Sequence, residues 1–187
     1  MNRFLLPLGG FALLVVVLVV GLVHAPEKDI IPSPLVGKSA PQFSLPNLFT
    51  DQKAVSSDAF RGRWSLVNVW GTWCEECRAE QSTLLLIKQQ GQVPIIGIDW
   101  KDNDADAMNW LSQLGNPFER IGEDHDGRVA IDWGVYGAPE SFLISPTGVV
   151  VYKHIGALTP EVWQQEFLPR IAATPSAVTG PAAAGGA

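Results

Sequence analysis

The hydrophobic positions of the chain fall into three regimes. Phe4 to Val23 is apolar throughout, carries no charge and contains the block Val15 to Val20. About 20 such residues are what a helix needs to cross a bilayer core. A cleaved signal peptide has a shorter apolar region ending in a small-x-small site. Val23-His24-Ala25 is a weak version of that site, with Pro26 directly after it, so the stretch reads as an uncleaved signal anchor. A buried core helix is the plainer alternative, but Pro26, Pro32 and Pro34 turn the following residues into an extended spacer. Residues 174–187 hold no large apolar side chain and are expected to be a disordered tail.

Between these ends, strand and helix periods alternate. Ser65 to Trp70 is a short, mostly apolar run suited to a strand buried on both faces. Cys74 to Gln90 lacks proline and glycine, carries Ala79 and Leu84 to Ile87, and reads as a helix. Pro94 to Ile98 predicts a second buried strand ending at Asp99. Asp104 to Leu114 predicts a helix with acids in its first turn and Gly115 as its stop. Ser141–Ile144 and Val149–His154 predict two strands joined by the turn Ser145-Pro146-Thr147-Gly148. Thr159 to Ile171 predicts a closing helix with Thr159 as cap and Pro160 first inside it. The order implies an α/β domain: a mixed β-sheet flanked by helices on both faces. The expected organisation is a cytoplasmic start (1–3), a transmembrane signal anchor (4–23), a linker (24–36), the folded domain (37–173) and the tail (174–187).

Composition narrows the chemistry. The 187 residues carry a formal charge of −6 with no Lys/Arg cluster, which excludes a nucleic-acid partner. Arg3 and the N-terminal amine are the only positive charges before the apolar span, favouring a cytoplasmic N-terminus and an exported body. Of two cysteines in all, Cys74 and Cys77 stand three apart, and the three histidines His24, His125 and His154 make no ligand spacing with them. Two thiols are too few for a disulfide scaffold or a structural zinc site, so no metal is expected. The segment Glu123-Asp124-His125-Asp126-Gly127 reads as a solvated acidic turn, and Trp64, Trp110 and Trp163 as packing.

Cys74 and Cys77 lie where a buried strand turns into a helix. There the unpaired N–H groups and positive dipole end of the first turn stabilise a thiolate. Cys74 is expected at the cap, exposed and nucleophilic. Cys77 lies deeper on the same side, placed to resolve a mixed disulfide formed at Cys74. Arg78 adds positive charge beside them. Two buried cysteines acting as small hydrophobes would be the inert reading.

Three separated stretches carry a family resemblance: Leu66-Val67-Asn68-Val69-Trp70-Gly71-Thr72-Trp73-Cys74-x-x-Cys77-Arg78-Ala79-Glu80, Gly97-Ile98-Asp99-Trp100-Lys101-Asp102, and Gly134 to Ile144. Together they resemble the thioredoxin-like thiol:disulfide interchange proteins of cytochrome c maturation, the CcmG/DsbE type, from Leu35 to Leu168. The resemblance implies a thioredoxin-like fold with a cis Ala138–Pro139 bond facing the dithiol. It also implies a docking surface formed by Trp73, Ala138 and Pro139, where a substrate chain adds as a strand. Where thioredoxin has a buried aspartate this chain has Asn68. The resemblance makes Glu80 and Glu140 candidate proton acceptors for the Cys77 thiol.

Between the cysteines the family commonly carries Pro-Thr; this chain has Glu75-Glu76. Like charge beside a thiolate disfavours it, which predicts a more reducing couple. Asn68, Glu75 and Glu76 are thus expected to tune the potential. The implied activity is protein-disulfide reduction with no bound cofactor, carried by a single-pass protein of the bacterial inner membrane with its body in the periplasm. The implied target is apocytochrome c or a subunit of the haem-ligation complex. Electrons would come from a transmembrane thiol transporter of the DsbD/CcdA type. Alternatives are a broad-range exported disulfide reductase, a stress-response thioredoxin-like protein and, further off, a copper carrier.

Overall fold

The computed structural model describes residues 5–23 and 33–173. Two units, 1–32 and 33–187, divide the chain. In the first, α1 (Leu5–Val23) is a helix with exposed apolar side chains from Leu8 to Val20. Among the described residues no helix is long and apolar enough to cross a membrane. The expected start (1–3), linker residues 24–32 and the tail 174–187 lie outside the described residues.

The second unit begins with a small ribbon, β1 (Ser44–Leu45) paired antiparallel with β2 (Val55–Ser56), then a 3₁₀ turn over Ser57–Phe60. Next come β3 (Ser65–Trp70), α2 (Glu75–Gln90), β4 (Ile95–Trp100) and α3 (Asp104–Leu114). After them follow β5 (Arg120–Asp124), α4 (Arg128–Asp132), β6 (Glu140–Ile144) and β7 (Val150–Ile155). The chain closes on α5 (Pro160–Val162), a π-helical turn (Trp163–Phe167) and α6 (Leu168–Ala173).

The main sheet has the order β5-β4-β3-β6-β7, with β3, β4 and β5 parallel and β6 and β7 antiparallel. Every residue of β3 is buried, as its near-continuous apolar run requires of a central strand. One face of the sheet, through Leu66, Trp70, Ile95 and Leu143, packs with Leu84, Ile87, Trp110, Trp163 and Phe167 from the helices. The other face, through Val67, Val69, Ile98 and Phe142, packs with Phe43, Leu45, Val55, Phe60 and Trp133. The second face is therefore covered mainly by the ribbon, the 3₁₀ turn and the α4 region. Gly122 lets the ribbon approach β5, because a Cβ there would lie 3.0 Å from the side chain of Leu45. The packing roles expected of Trp110 and Trp163 hold, both rings being buried.

The acidic segment Glu123 to Gly127 differs from the solvated turn expected of it. Glu123 and Asp124 close β5 and are buried. Asp124 accepts hydrogen bonds from Val129 and Ala130 N–H through its two carboxylate oxygens and so caps α4 from outside, where the cap residue Gly127 has no side chain to do it.

Candidate active site

The turn from β3 into α2 places the dithiol. Cys74 is the N-cap of α2 with extended backbone, and its Sγ accepts the Cys77 N–H at 3.0 Å. A thiolate at this position would take the place of the oxygen acceptor usual at a cap. Cys74 and Cys77 form a disulfide. Cys74 is 5% exposed and Cys77 2%. The open exposure expected of Cys74 is thus corrected: both residues of the closed disulfide lie in the cluster under α2. Glu75 and Glu76 point outward in the first helical turn, where acids complement the dipole. The Arg78 guanidinium lies 4.3 Å from the centre of the Trp110 ring, so its charge is spread over an aromatic face.

Trp73 is the exposed aromatic beside the sulfurs, at 52%. Its indole N–H donates to the Trp100 carbonyl at 3.1 Å, and the two rings meet edge-on at 5.5 Å. Thr72 is held from the same side. Its N–H and its hydroxyl both bond the Asp102 carboxylate. Gly71 allows the close turn, since a Cβ there would sit 2.5 Å from the Trp73 indole nitrogen.

The Ala138–Pro139 peptide is cis. The Pro139 carbonyl accepts from Gly156 N–H at 2.9 Å. A Cβ on Gly156 would lie 3.7 Å from Glu76 Oε2, which brings the proline turn and the dithiol helix to one rim. Among the described residues no hydrogen bond engages the backbone of Ala138.

Glu80 follows Cys77 by one helical turn on the buried face of α2, and it is 1% exposed. Asn68 donates to Glu80 Oε1 at 2.8 Å and to the Ser141 hydroxyl at 3.1 Å, while Leu158 N–H donates to Oε2 at 2.7 Å. Burial pushes the Glu80 carboxyl up to about 7, against the lowering pull of the Leu158 and Asn68 bonds and with some repulsion from Glu76. The buried acid that thioredoxin carries on its central strand is here displaced onto the helix, with Asn68 as its support.

Glu140 has a different place. It alternates with Ser141 on β6, sharing its face with Phe142 and Ile144, which pack in the cluster opposite α2. There it is buried, 2.8 Å from Lys153 Nζ, and accepts from Tyr136 N–H. Glu140 is therefore corrected from a proton acceptor for Cys77 to a buried ion-pair partner on the far side of the sheet. The alternation of β6 was the signal that could have found this, since Ser141, not Glu140, shares the Asn68 side. The Lys153 partnership spans two strands and left no local mark.

The redoxin family model matches residues 35–166. The chain is 42% identical to the thiol:disulfide interchange protein DsbE of Allochromatium vinosum, over 91% of this chain and 93% of that one. It is 41% identical to that of Pseudomonas aeruginosa, over 88% and 90%. Among solved structures, a DsbE candidate from Chlorobium tepidum superposes with a TM-score of 0.58 at 25% identity, covering 71% of this chain and 95% of that one.

Proposed function

The chain belongs to the redoxin family as a thiol:disulfide oxidoreductase of the DsbE type, and from that premise we propose that it works as a membrane-anchored reductant of protein disulfides outside the cytoplasm. The observation that carries this is the rim formed by Cys74, the cis Pro139 turn and exposed Trp73 around the unpaired backbone of Ala138. An extended substrate segment can pair with Ala138 as an added strand and present its disulfide to Cys74.

In the reducing direction the Cys74 thiolate attacks one substrate sulfur, forming a mixed disulfide and releasing the other sulfur as a thiolate. Cys77, as thiolate, then attacks Cys74 Sγ; the Cys74–Cys77 disulfide closes and the second substrate thiolate leaves. Two electrons pass to the substrate, and the proton lost by Cys77 goes to the buried Glu80 carboxylate. The family resemblance favours as substrate the haem-binding cysteine pair of apocytochrome c, or a haem-ligation subunit. It likewise favours a DsbD/CcdA-type thiol transporter as electron donor. The apolar helix Leu5–Val23 supports residues 4–23 as the inner-membrane anchor, with the body in the periplasm.

The test is the redox state of Cys74 and Cys77 in cells, trapped by acid and thiol alkylation with and without the membrane donor. A pair that is reduced, and becomes oxidised when the donor is deleted, is the expected result. A pair oxidised in both strains overturns the reductant reading and moves an oxidase or isomerase role forward.

A further inference from the structure

Strands β3 and β4 run parallel and in register up to Trp70 and Asp99. Past that pair the chain has only Gly71, Thr72 and Trp73 before Cys74 caps α2. Within this turn, Cys74 N–H bonds the Gly71 carbonyl at 3.2 Å. The turn's side-chain bonds go across to the residues that leave β4. Thr72 gives its N–H and its hydroxyl to the Asp102 carboxylate, and the Trp73 indole N–H bonds the Trp100 carbonyl.

The loop that supplies these partners is itself fixed. Lys101 stands at φ 51, a left-handed conformation that a side-chain-bearing residue keeps only where its surroundings hold it. Its N–H bonds the Asp124 carbonyl at 3.0 Å. The Asp102 carbonyl lies 3.2 Å from His125 Nδ1 and, being an acceptor only, takes that nitrogen's hydrogen. The ion pairs of His125 with Asp104 and Glu123 hold the ring from its other side. Gly127 leaves the loop its room, since a Cβ there would lie 2.8 Å from the Trp100 indole nitrogen.

An acid just before α3 is ordinarily a helix cap, but the cap here is Asn103, whose Oδ1 accepts from Ala105 and Asp106 N–H. Asp102 makes one bond within its own loop, from Asn103 N–H at 2.8 Å. Its two bonds to Thr72 span 30 residues of sequence and are left unexplained by capping. A carboxylate that takes both donors of Thr72 fixes the backbone and the side chain of the residue before Trp73. An exposed aromatic held in place beforehand loses less freedom when a partner docks on it.

We propose that Asp102 is a positioning residue for exchange with extended protein substrates: through Thr72 it holds the turn that sets the Trp73 ring on the rim. The inference rests on the rim reading of the proposed function. The sulfurs are placed by the cap of α2, so a small disulfide that needs no rim should not sense Asp102.

The test mixes reduced, full-length protein in detergent with an extended peptide carrying one Cys-x-x-Cys disulfide and, separately, with oxidised glutathione. D102A should slow the peptide at least about tenfold and leave glutathione within about twofold. T72V, which removes one bond without changing charge, should act in the same direction, and T72S should restore the wild-type rate. In ¹H–¹⁵N spectra the Trp73 indole N–H should lose its protection from solvent exchange in D102A. If D102A does not fold, the T72V and T72S pair decides. Equal slowing on both substrates, no slowing on either, or an unchanged Trp73 indole signal would each overturn the proposal. W73A separates this from the rim reading. If W73A slows the peptide selectively while D102A and T72V do not, the rim stands and the role of Asp102 falls; if W73A slows neither substrate, both fall.

Discussion

At the scale of single residues, Glu80 and Asp99 are, among the described residues, the two buried carboxyls pushed up to near neutrality, and Glu80 is the one beside the dithiol. Its folded value near 7 lies above the ordinary 4.5, so the neutral carboxyl is the form the fold prefers. The stability this confers is fully present below about pH 4.5 and is lost as pH rises through 7. The shift corresponds to about 3 kcal/mol. Denaturant unfolding of oxidised wild type and E80Q at pH 4 and pH 8 should show the wild type losing about that much relative to the variant. A pH-independent difference would assign Glu80 a packing role alone. The buried pair Glu140–Lys153 matters through its charges rather than through a titration. Removing one partner strands the other charge, so E140Q should cost about 3–5 kcal/mol of stability. Because Glu140 faces away from α2, the rate of disulfide exchange by the variant at a temperature where it stays folded should remain within about twofold of wild type. A loss on the order of 100-fold, the usual effect of removing a general base, would return Glu140 to the chemistry.

Elements joined the sequence to the site unevenly. The strand Ser65–Trp70, the helix after Cys74 and the helix Asp104–Leu114 were legible because each carries its period or stop signals over six or more residues. The ribbon β1–β2 was not, since two residues per strand show no period. Nor was β5, whose Glu123 and Asp124 are buried by tertiary work and read locally as loop. The closing helix was legible at Thr159 and Pro160. The π turn Trp163–Phe167 was missed, although Pro169, which offers no N–H to the carbonyl four residues back, is the local reason for irregularity. At the dithiol, the sulfurs and the proline could be read from motifs. The Asn68–Glu80–Leu158 set could not, because it joins β3, α2 and the loop after β7. The first turn of α2 is where we expect the potential to be set. Its N–H groups favour the Cys74 thiolate, and the outward Glu75 and Glu76 oppose it. Replacing the two glutamates by Pro-Thr should lower the Cys74 titration, read by thiolate absorbance. It should also make the couple more oxidising by on the order of 30 mV in a glutathione equilibrium. An unchanged potential would place its control elsewhere on the rim.

The whole molecule separates into an apolar helix and a body that carries the redox chemistry and has its own two-sided core. The dithiol, the cis-proline turn and Glu80 all belong to residues 33–173. Under the proposed anchoring, residues 1–32 contribute location, and location changes rates without changing chemistry. A tether raises the effective concentration of partners held at the same membrane, and avidity is lost when the link is cut. A chain beginning at Ser33, exported by a cleavable signal, should therefore keep the potential of the full-length protein and its rate on a soluble disulfide. If the donor is membrane-embedded, as proposed, its Cys74–Cys77 pair in cells should shift toward the disulfide, because reduction becomes a bimolecular encounter. Alkylation trapping of tethered and untethered forms at matched abundance measures this. Equal reduction of the two would mean that the body finds its donor without the helix, and the role of residues 4–23 would then end at export.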